Sequence, residues 1–128
     1  MAEYLRANGQ SASGLDRGQL ADLRALLTHA RGEAMARLHA AEETARSAEP
    51  LTEPMDAAEL AREQGDAALL TERARARLRE IDDALARMDA GTYGVSERSG
   101  IPIGFERLKA LPWTRVAAEE EVEVFQPA

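Results

Sequence analysis

Two stretches of the chain carry the same apolar spacing in mirror order, and this pattern restricts the possible folds more than any other feature. The first stretch contains Leu20, Leu23, Leu27, Ala30, Ala34, Leu38 and Ala41. The second contains Ala67, Leu70, Ala74, Leu78, Ile81, Leu85 and Met88. Steps of three and four residues place each set along one side of an α-helix. The sequence therefore predicts two long amphipathic helices.

The two apolar sets match one another if the helices run antiparallel. The two residue numbers of every matched pair, from Leu20 with Met88 to Ala41 with Ala67, have the same midpoint, which is position 54. Prolines at positions 50 and 54 cannot continue a helix, so the chain turns there. We therefore predict a long antiparallel two-helix coiled-coil hairpin over residues 16–89, with its tip at 49–56.

The hairpin needs an anchoring base, because alanine dominates its apolar positions. Hydrophobic residues make up 45% of the chain, yet 26 of them are Ala. A two-helix hairpin with so little apolar area is marginal alone. All aromatic residues lie outside it: Tyr4, Tyr93, Phe105, Trp113 and Phe125. We predict an all-α protein in which residues 90–128 form a small zinc-finger-like knob plus a short C-terminal helix from Trp113, and residues 1–15 pack near the base.

Composition and missing motifs exclude several functions. The chain has no Cys, its two His lie ten residues apart, and no Gly-rich phosphate loop is present. No nucleophile–base pair or metal set can be assembled, so we expect neither an enzyme nor a cofactor. A net charge of −7 disfavours direct binding to DNA or RNA. With neither a signal peptide nor a membrane span in the sequence, we expect a cytoplasmic monomer that does not bind membranes.

Two acidic residues lie at the predicted tip of the hairpin. Asp56 and Glu53 are both close to the mirror axis. Asp56 with Glu59 three residues later fits a capping box, which is a purely structural role. A functional role at the end of the hairpin is the alternative, and the residues alone leave both open.

The stretch after the hairpin carries a specific pattern. It contains Gly91-Thr92-Tyr93-Gly94, Gly100, Ile103, Arg107, Leu108, Ala110 and Pro112. At this spacing the chain resembles the DksA/TraR family of bacterial transcription regulators, whose members place a helical hairpin before such a knob. The family carries an acidic D-x-x-D-x-A motif at the hairpin tip. Asp56 and Ala58 match it, and Glu53 replaces the first Asp.

The resemblance implies binding to RNA polymerase through the secondary channel, with the tip residues Asp56, Glu53 and Ala58 near the catalytic magnesium. It implies modulation of transcription initiation without DNA binding. Two alternatives stay open. A Gre-like transcript cleavage factor also brings acids on a hairpin to the polymerase, although its domain order differs. A structural or adaptor protein would instead pair its hairpin with other helices and would not need an acid at Asp56.

Departures from the family pattern predict further properties. The four zinc cysteines of the family fall at Ser96, Ser99, Ala117 and Glu120, which do not make a zinc site. We expect apolar packing to replace the metal, through Tyr93, Ile103, Phe105, Leu108 and Trp113. Family members that respond to the alarmone ppGpp use basic residues at the hairpin base and knob. Of those positions only Arg73 is basic here, as a remnant of the ppGpp site, so we expect weak or lost synergy.

Overall fold

A computed structural model describes residues 12–46 and 56–120 of the chain. Helix α1 spans Arg17–Arg46, helix α2 spans Ala57–Ala90, and the short helix α3 spans Phe105–Ala110. Residues 118–120 are also helical. The described residues form no strand, apart from an isolated antiparallel bridge between Val95 and Pro102. The predicted all-α fold with a long two-helix hairpin is confirmed.

Helix α1 begins, and helix α2 ends, at residues that satisfy free backbone groups of the helix. Before α1, the Asp16 carboxylate accepts a hydrogen bond from the Gln19 N–H at 2.7 Å. In return the Gln19 side chain accepts one from the Asp16 N–H at 3.0 Å. This reciprocal capping box fixes the helix start. After α2, the N–H groups of Gly91 and Thr92 donate to the carbonyls of Met88 and Arg87, and Gly91 has a positive φ of 81°. This is a Schellman motif, which ends the helix at a glycine.

The chain forms two compact units. One consists of residues 30–79 and therefore contains the end of α1 and the first part of α2. Within it, Glu42 of α1 pairs with Arg75 of α2 at 3.2 Å. The buried side chains here are small, namely Ala34, Ala41 and Ala74, together with Leu78. The two helices of this unit thus meet through alanines.

The other unit includes the start of α1, the end of α2 and the knob. Arg24 of α1 pairs with Asp89 of α2 at 2.7 Å. The fully buried side chains of this unit are larger: Leu23, Leu27, Ile81, Tyr93 and Leu108. Since each buried side chain of this size contributes about 1.5–3 kcal/mol, this unit holds the main apolar core.

The apolar pattern is correct at most positions and wrong at two. Leu70, which the mirror spacing places in the interface, is 56% exposed. The alanines around it leave a groove that Leu70 lines but does not fill. Ala84, which the pattern omits, is completely buried.

The knob departs from expectation in two further respects. Tyr93, Ile103 and Leu108 are buried as predicted, whereas Phe105 and Trp113 are only partly buried. The helical segment that follows begins at residue 118 rather than at Trp113. Residues 111–114 instead form a turn, which a hydrogen bond from the Thr114 N–H to the Leu111 carbonyl closes at 3.0 Å, so no helix begins at Trp113.

Candidate functional site

Asp56 caps helix α2. Its Oδ1 accepts a hydrogen bond from the Glu59 N–H at 2.8 Å, and its backbone carbonyl accepts one from Leu60 at 3.1 Å. This confirms the predicted cap. The residue is nevertheless exposed. A negative charge is also favoured at this position by the helix dipole. The cap therefore fixes the direction of a carboxylate that solvent or a binding partner can still reach.

Of the other two predicted tip residues, the structure describes Ala58 but not Glu53. Ala58 lies in the first turn of α2 and is exposed. Glu53 lies outside the described residues, as does the rest of the tip before Asp56. The described part of the tip is therefore the start of α2, where both Asp56 and Glu59 are acidic.

Arg73 borders a groove between α1 and α2 in the unit of residues 30–79. The groove has a volume of about 460 Å³ and an alanine floor. Two further arginines that the sequence reasoning missed, Arg37 and Arg77, also line it. Arg73 and Arg77 are four residues apart, and this spacing could have indicated that both lie on the same side of α2. The resemblance places the other ppGpp positions of the family at Ala76, Glu80, Leu111 and Glu121, none of which is basic.

The packing of the knob explains two residues of the family pattern, Tyr93 and Gly94. The Tyr93 ring is 1% exposed, and its hydroxyl donates a hydrogen bond to the Pro112 carbonyl at 2.8 Å. Gly94 has a φ of 87°, and a Cβ there would lie 2.8 Å from the Ser13 Cβ and 2.9 Å from Leu15 Cδ1. Only glycine permits both the backbone conformation and the close approach. These positions are structural.

Polar side chains add a second link between the knob and helix α2. Arg115 pairs with Asp83 of α2 and, at 2.8 Å, with Glu97. Arg87 of α2 donates a hydrogen bond to the Trp113 carbonyl at 3.4 Å. Burial lowers the pKa of the Arg87 guanidinium. Because these ion pairs are partly exposed, each contributes roughly 0–1 kcal/mol and mainly fixes the orientation of the knob.

The four positions of the family's zinc cysteines come together in the structure. The Ser99 hydroxyl donates to Glu120 Oε1 at 3.1 Å, and the Ala117 N–H donates to the same oxygen at 3.3 Å. Ser96 Oγ accepts hydrogen bonds from the N–H groups of Arg98 and Ser99, at 3.1 and 3.5 Å. The turn at 96–99 thus faces the carboxylate of Glu120.

These groups do not fit a structural zinc ion. Such a site needs four donors, normally thiolate or imidazole, whereas Ala117 offers none and the two serines offer neutral hydroxyls. Glu120 Oε1 already accepts two hydrogen bonds. Among residues 12–46 and 56–120, no group of three His, Cys, Asp or Glu side chains could hold a metal ion. The described helices also include none that is long and apolar enough to cross a membrane.

Comparison with curated proteins finds partial matches. A protein of unassigned function from Aquifex aeolicus is 56% identical over 50 residues, which is 38% of this chain and 34% of that protein. General stress protein 16O of Bacillus subtilis is 45% identical over 47 residues, covering 37% of this chain and 29% of that protein. The RNA polymerase-binding transcription factor DksA of Caulobacter vibrioides is 38% identical over 69 residues, covering 52% and 49%. The matches span about a third to a half of the length of these relatives. No protein-family model matches the chain.

Solved structures match over nearly the whole chain. Transcription factor DksA2 from Pseudomonas aeruginosa superposes with a TM-score of 0.77 and 29% identity, over 91% of each chain. The DnaK suppressor protein from Agrobacterium tumefaciens superposes with a TM-score of 0.58 and 28% identity, over 92% of this chain and 99% of that one. The mostly helical fold with its two long packed helices agrees with these matches. The sequence and structural matches are therefore to DksA proteins, in agreement with the resemblance of this chain to the DksA/TraR family.

Proposed function

We propose that this chain binds bacterial RNA polymerase and regulates transcription initiation. The observation that carries the proposal is the likeness to DksA2, which covers 91% of both chains. A second DksA relative, 38% identical over 69 residues, is an RNA polymerase-binding transcription factor. A shared fold alone does not establish function. The proposal therefore also needs a site that could act on the polymerase.

The acidic start of α2 supplies such a site. Asp56 is exposed, and its cap on the Glu59 N–H holds the carboxylate in place. We place this end of the hairpin in the secondary channel of the polymerase, together with Glu53 and Ala58. A carboxylate in that channel would meet cations and hydrogen-bond donors, where charged hydrogen bonds are about twice as strong as neutral ones.

The overall charge favours a protein partner over a nucleic acid. With a net charge of −7, the chain has no excess of Lys and Arg with which to neutralise phosphates. We propose that it acts on promoter complexes through the polymerase, without touching DNA or RNA directly.

The test compares polymerase binding and transcription for Asp56→Asn and the unsubstituted chain. Asparagine caps helices as well as aspartate does, so the variant changes the charge and keeps the helix start. We expect unchanged pull-down of core polymerase and loss of the effect on initiation in vitro. Asp16→Asn, the same change at the cap of α1, is the matched control and should retain full activity.

Two results would contradict the proposal. Absence of binding to core polymerase at micromolar concentration would exclude it altogether. If Asp56→Asn binds core polymerase and keeps its full effect on initiation, the carboxylate of Asp56 has no role there, which favours an adaptor protein. A photocrosslinker at position 56 gives an independent readout, because it should label polymerase subunits that line the secondary channel.

We also propose that ppGpp synergy is weak. Of the family's basic ppGpp positions, Arg73 alone is retained, and Glu80 places a negative charge at another. A polyanion needs several cationic donors. In vitro transcription with and without ppGpp should show similar regulation by this chain. Full enhancement by ppGpp would contradict this part of the proposal and leave polymerase binding unaffected.

A further inference from the structure

The knob has a joint at the place where related proteins carry cysteines for zinc. On one side is the turn of residues 96–99, and on the other is the segment 117–120. Ser96 and Ala117 are buried, with exposed fractions of 4% and 2%. The two segments therefore pack closely, although no thiolate is present to join them through a metal.

We propose that the carboxylate of Glu120 is a clasp that closes this joint by hydrogen bonding, in the structural place of the metal. Its Oε1 accepts from the Ser99 hydroxyl at 3.1 Å and from the Ala117 N–H at 3.3 Å. One oxygen thus bonds both segments. A second hydrogen bond joins the two segments, because the Arg98 guanidinium donates to the Glu120 carbonyl at 3.1 Å.

The turn is arranged to present donors to this carboxylate. A serine hydroxyl has two acceptor sites and one donor. In Ser96 both acceptor sites are used by the N–H groups of Arg98 and Ser99. Its hydrogen is then free to point to Glu120, and hydrogen bonding from Ser96 is the largest cause that lowers the pKa of Glu120. Both serines therefore face the same carboxylate, and Ser99 donates to it at 3.1 Å.

A simpler role for Glu120 accounts for only part of this geometry. Glu120 is the third residue of the helical segment that starts at 118, and its bond to the Ala117 N–H is half of a capping box. Capping by itself does not require the bond to Ser99 in the other segment. The two roles differ in one measurable respect: only the clasp protects the turn at 96–99.

Amide hydrogen exchange measured by NMR on the full chain separates the roles. In Glu120→Ala we expect the amides of Arg98 and Ser99 to exchange roughly three- to tenfold faster, the factor produced by losing a hydrogen bond. Glu119→Ala is the matched control, because Glu119 is exposed and adjacent in the same turn. If exchange in the turn is the same in both variants, Glu120 is a helix cap only and the proposal is wrong.

A mutant cycle tests the bond between the two segments without depending on one variant. Ser99→Ala should lower the thermal midpoint, and adding it to Glu120→Ala should lower the midpoint no further. Effects that simply add would show that Ser99 and Glu120 act independently, which contradicts the clasp. Should Glu120→Ala not fold, the cycle can be run with Glu120→Gln, which retains an oxygen acceptor and loses the charge.

Restoring a metal site gives a third test. The chain with S96C, S99C, A117C and E120C should bind one Co²⁺ with the visible spectrum of tetrahedral thiolate ligation, since the four positions face one another. The metal-loaded chain should also show, at the amides of positions 98 and 99, the slow exchange that Glu120→Ala loses. Absence of tetrahedral binding would contradict the convergence of the four positions on which the clasp depends.

Discussion

The hydroxyl of Tyr93 donates a hydrogen bond to the carbonyl oxygen of Pro112 at 2.8 Å, in the buried interior of the knob. This bond joins the turn after α2 to the turn after α3. Tyr93 and Pro112 both belong to the sequence pattern that resembles the DksA/TraR family. The structure thus gives a physical reason for their pairing over an interval of 19 residues.

Removing this hydroxyl should destabilise the knob. Tyr93→Phe leaves the Pro112 carbonyl without its partner in a dry site. An unsatisfied buried acceptor costs about 1–3 kcal/mol in the free energy of unfolding. Urea unfolding followed by tryptophan fluorescence measures the loss, because Trp113 directly follows Pro112. An unchanged urea midpoint would mean that water replaces the hydroxyl.

Tyr93 should also resist ionisation at alkaline pH. Burial raises the pKa of the Tyr93 hydroxyl well above its ordinary value. The folded chain therefore keeps this proton while the unfolded chain loses it near pH 10. Stability is fully present below about pH 10 and is lost as the pH rises above that value toward the folded pKa. Absorbance titration of a Tyr4→Phe variant isolates Tyr93 and should show no phenolate until the chain unfolds.

Gly94 should tolerate no side chain. Gly94→Ala places a Cβ 2.8 Å from the Ser13 Cβ and forces an alanine into a positive φ of 87°. The positive φ alone should lower the free energy of unfolding by about 1–2 kcal/mol, and the steric clash adds to this loss. Gly100→Ala is the control, because Gly100 has a similar φ of 78° with nothing within 4 Å of its Cβ. Equal thermal midpoints for the two variants would show that the close approach to Ser13 is unimportant.

The cap at Asp56 should contribute to stability separately from its charge. Asp56→Ala removes the acceptor for the Glu59 N–H and should cost about 0.5–2 kcal/mol, whereas Asp56→Asn should cost little. Thermal unfolding followed by circular dichroism measures both. A loss of equal size in the two variants would show that the charge, rather than the cap, stabilises the start of α2.

Folding should not depend on a metal. The groups at the four former cysteine positions are two hydroxyls, a methyl group and one hydrogen-bonded carboxylate. We expect EDTA to leave the helical signal and the thermal midpoint unchanged. We also expect added Zn²⁺ to produce no rise in the midpoint. A ligand present at a hundred times its dissociation constant would stabilise the fold by about 2.7 kcal/mol, so even moderate binding would be visible.

The helical hairpin could be read from the sequence because its pattern is local and repeated. Apolar spacing predicted a hairpin that starts at residue 16 and has its tip at 49–56, and α1 spans Arg17–Arg46. The cap at Asp56 was also predictable, because a capping box needs only four consecutive residues. Each of these features depends on neighbours within a few turns of the same helix.

Contacts between distant segments decided the remaining features. The spacing assigned Leu70 to the interface, yet the alanines around it leave a groove that it only lines. Phe105 and Trp113 are less buried than their aromatic character suggested. Periodicity in the sequence shows which side of a helix is apolar. How far each side chain is buried depends on the side chains that pack against it from other segments.

The knob shows most clearly which features depend on the sequence alone and which depend on the tertiary structure. The sequence alone determined that zinc thiolates are missing, and that the residues at those positions are Ser96, Ser99, Ala117 and Glu120. Only the tertiary structure decided that they still converge, with the Glu120 carboxylate accepting bonds from Ser99 and Ala117. A hydrogen bond depends on the distance and direction between two atoms, and packing brings the turn at 96–99 within reach of Glu120.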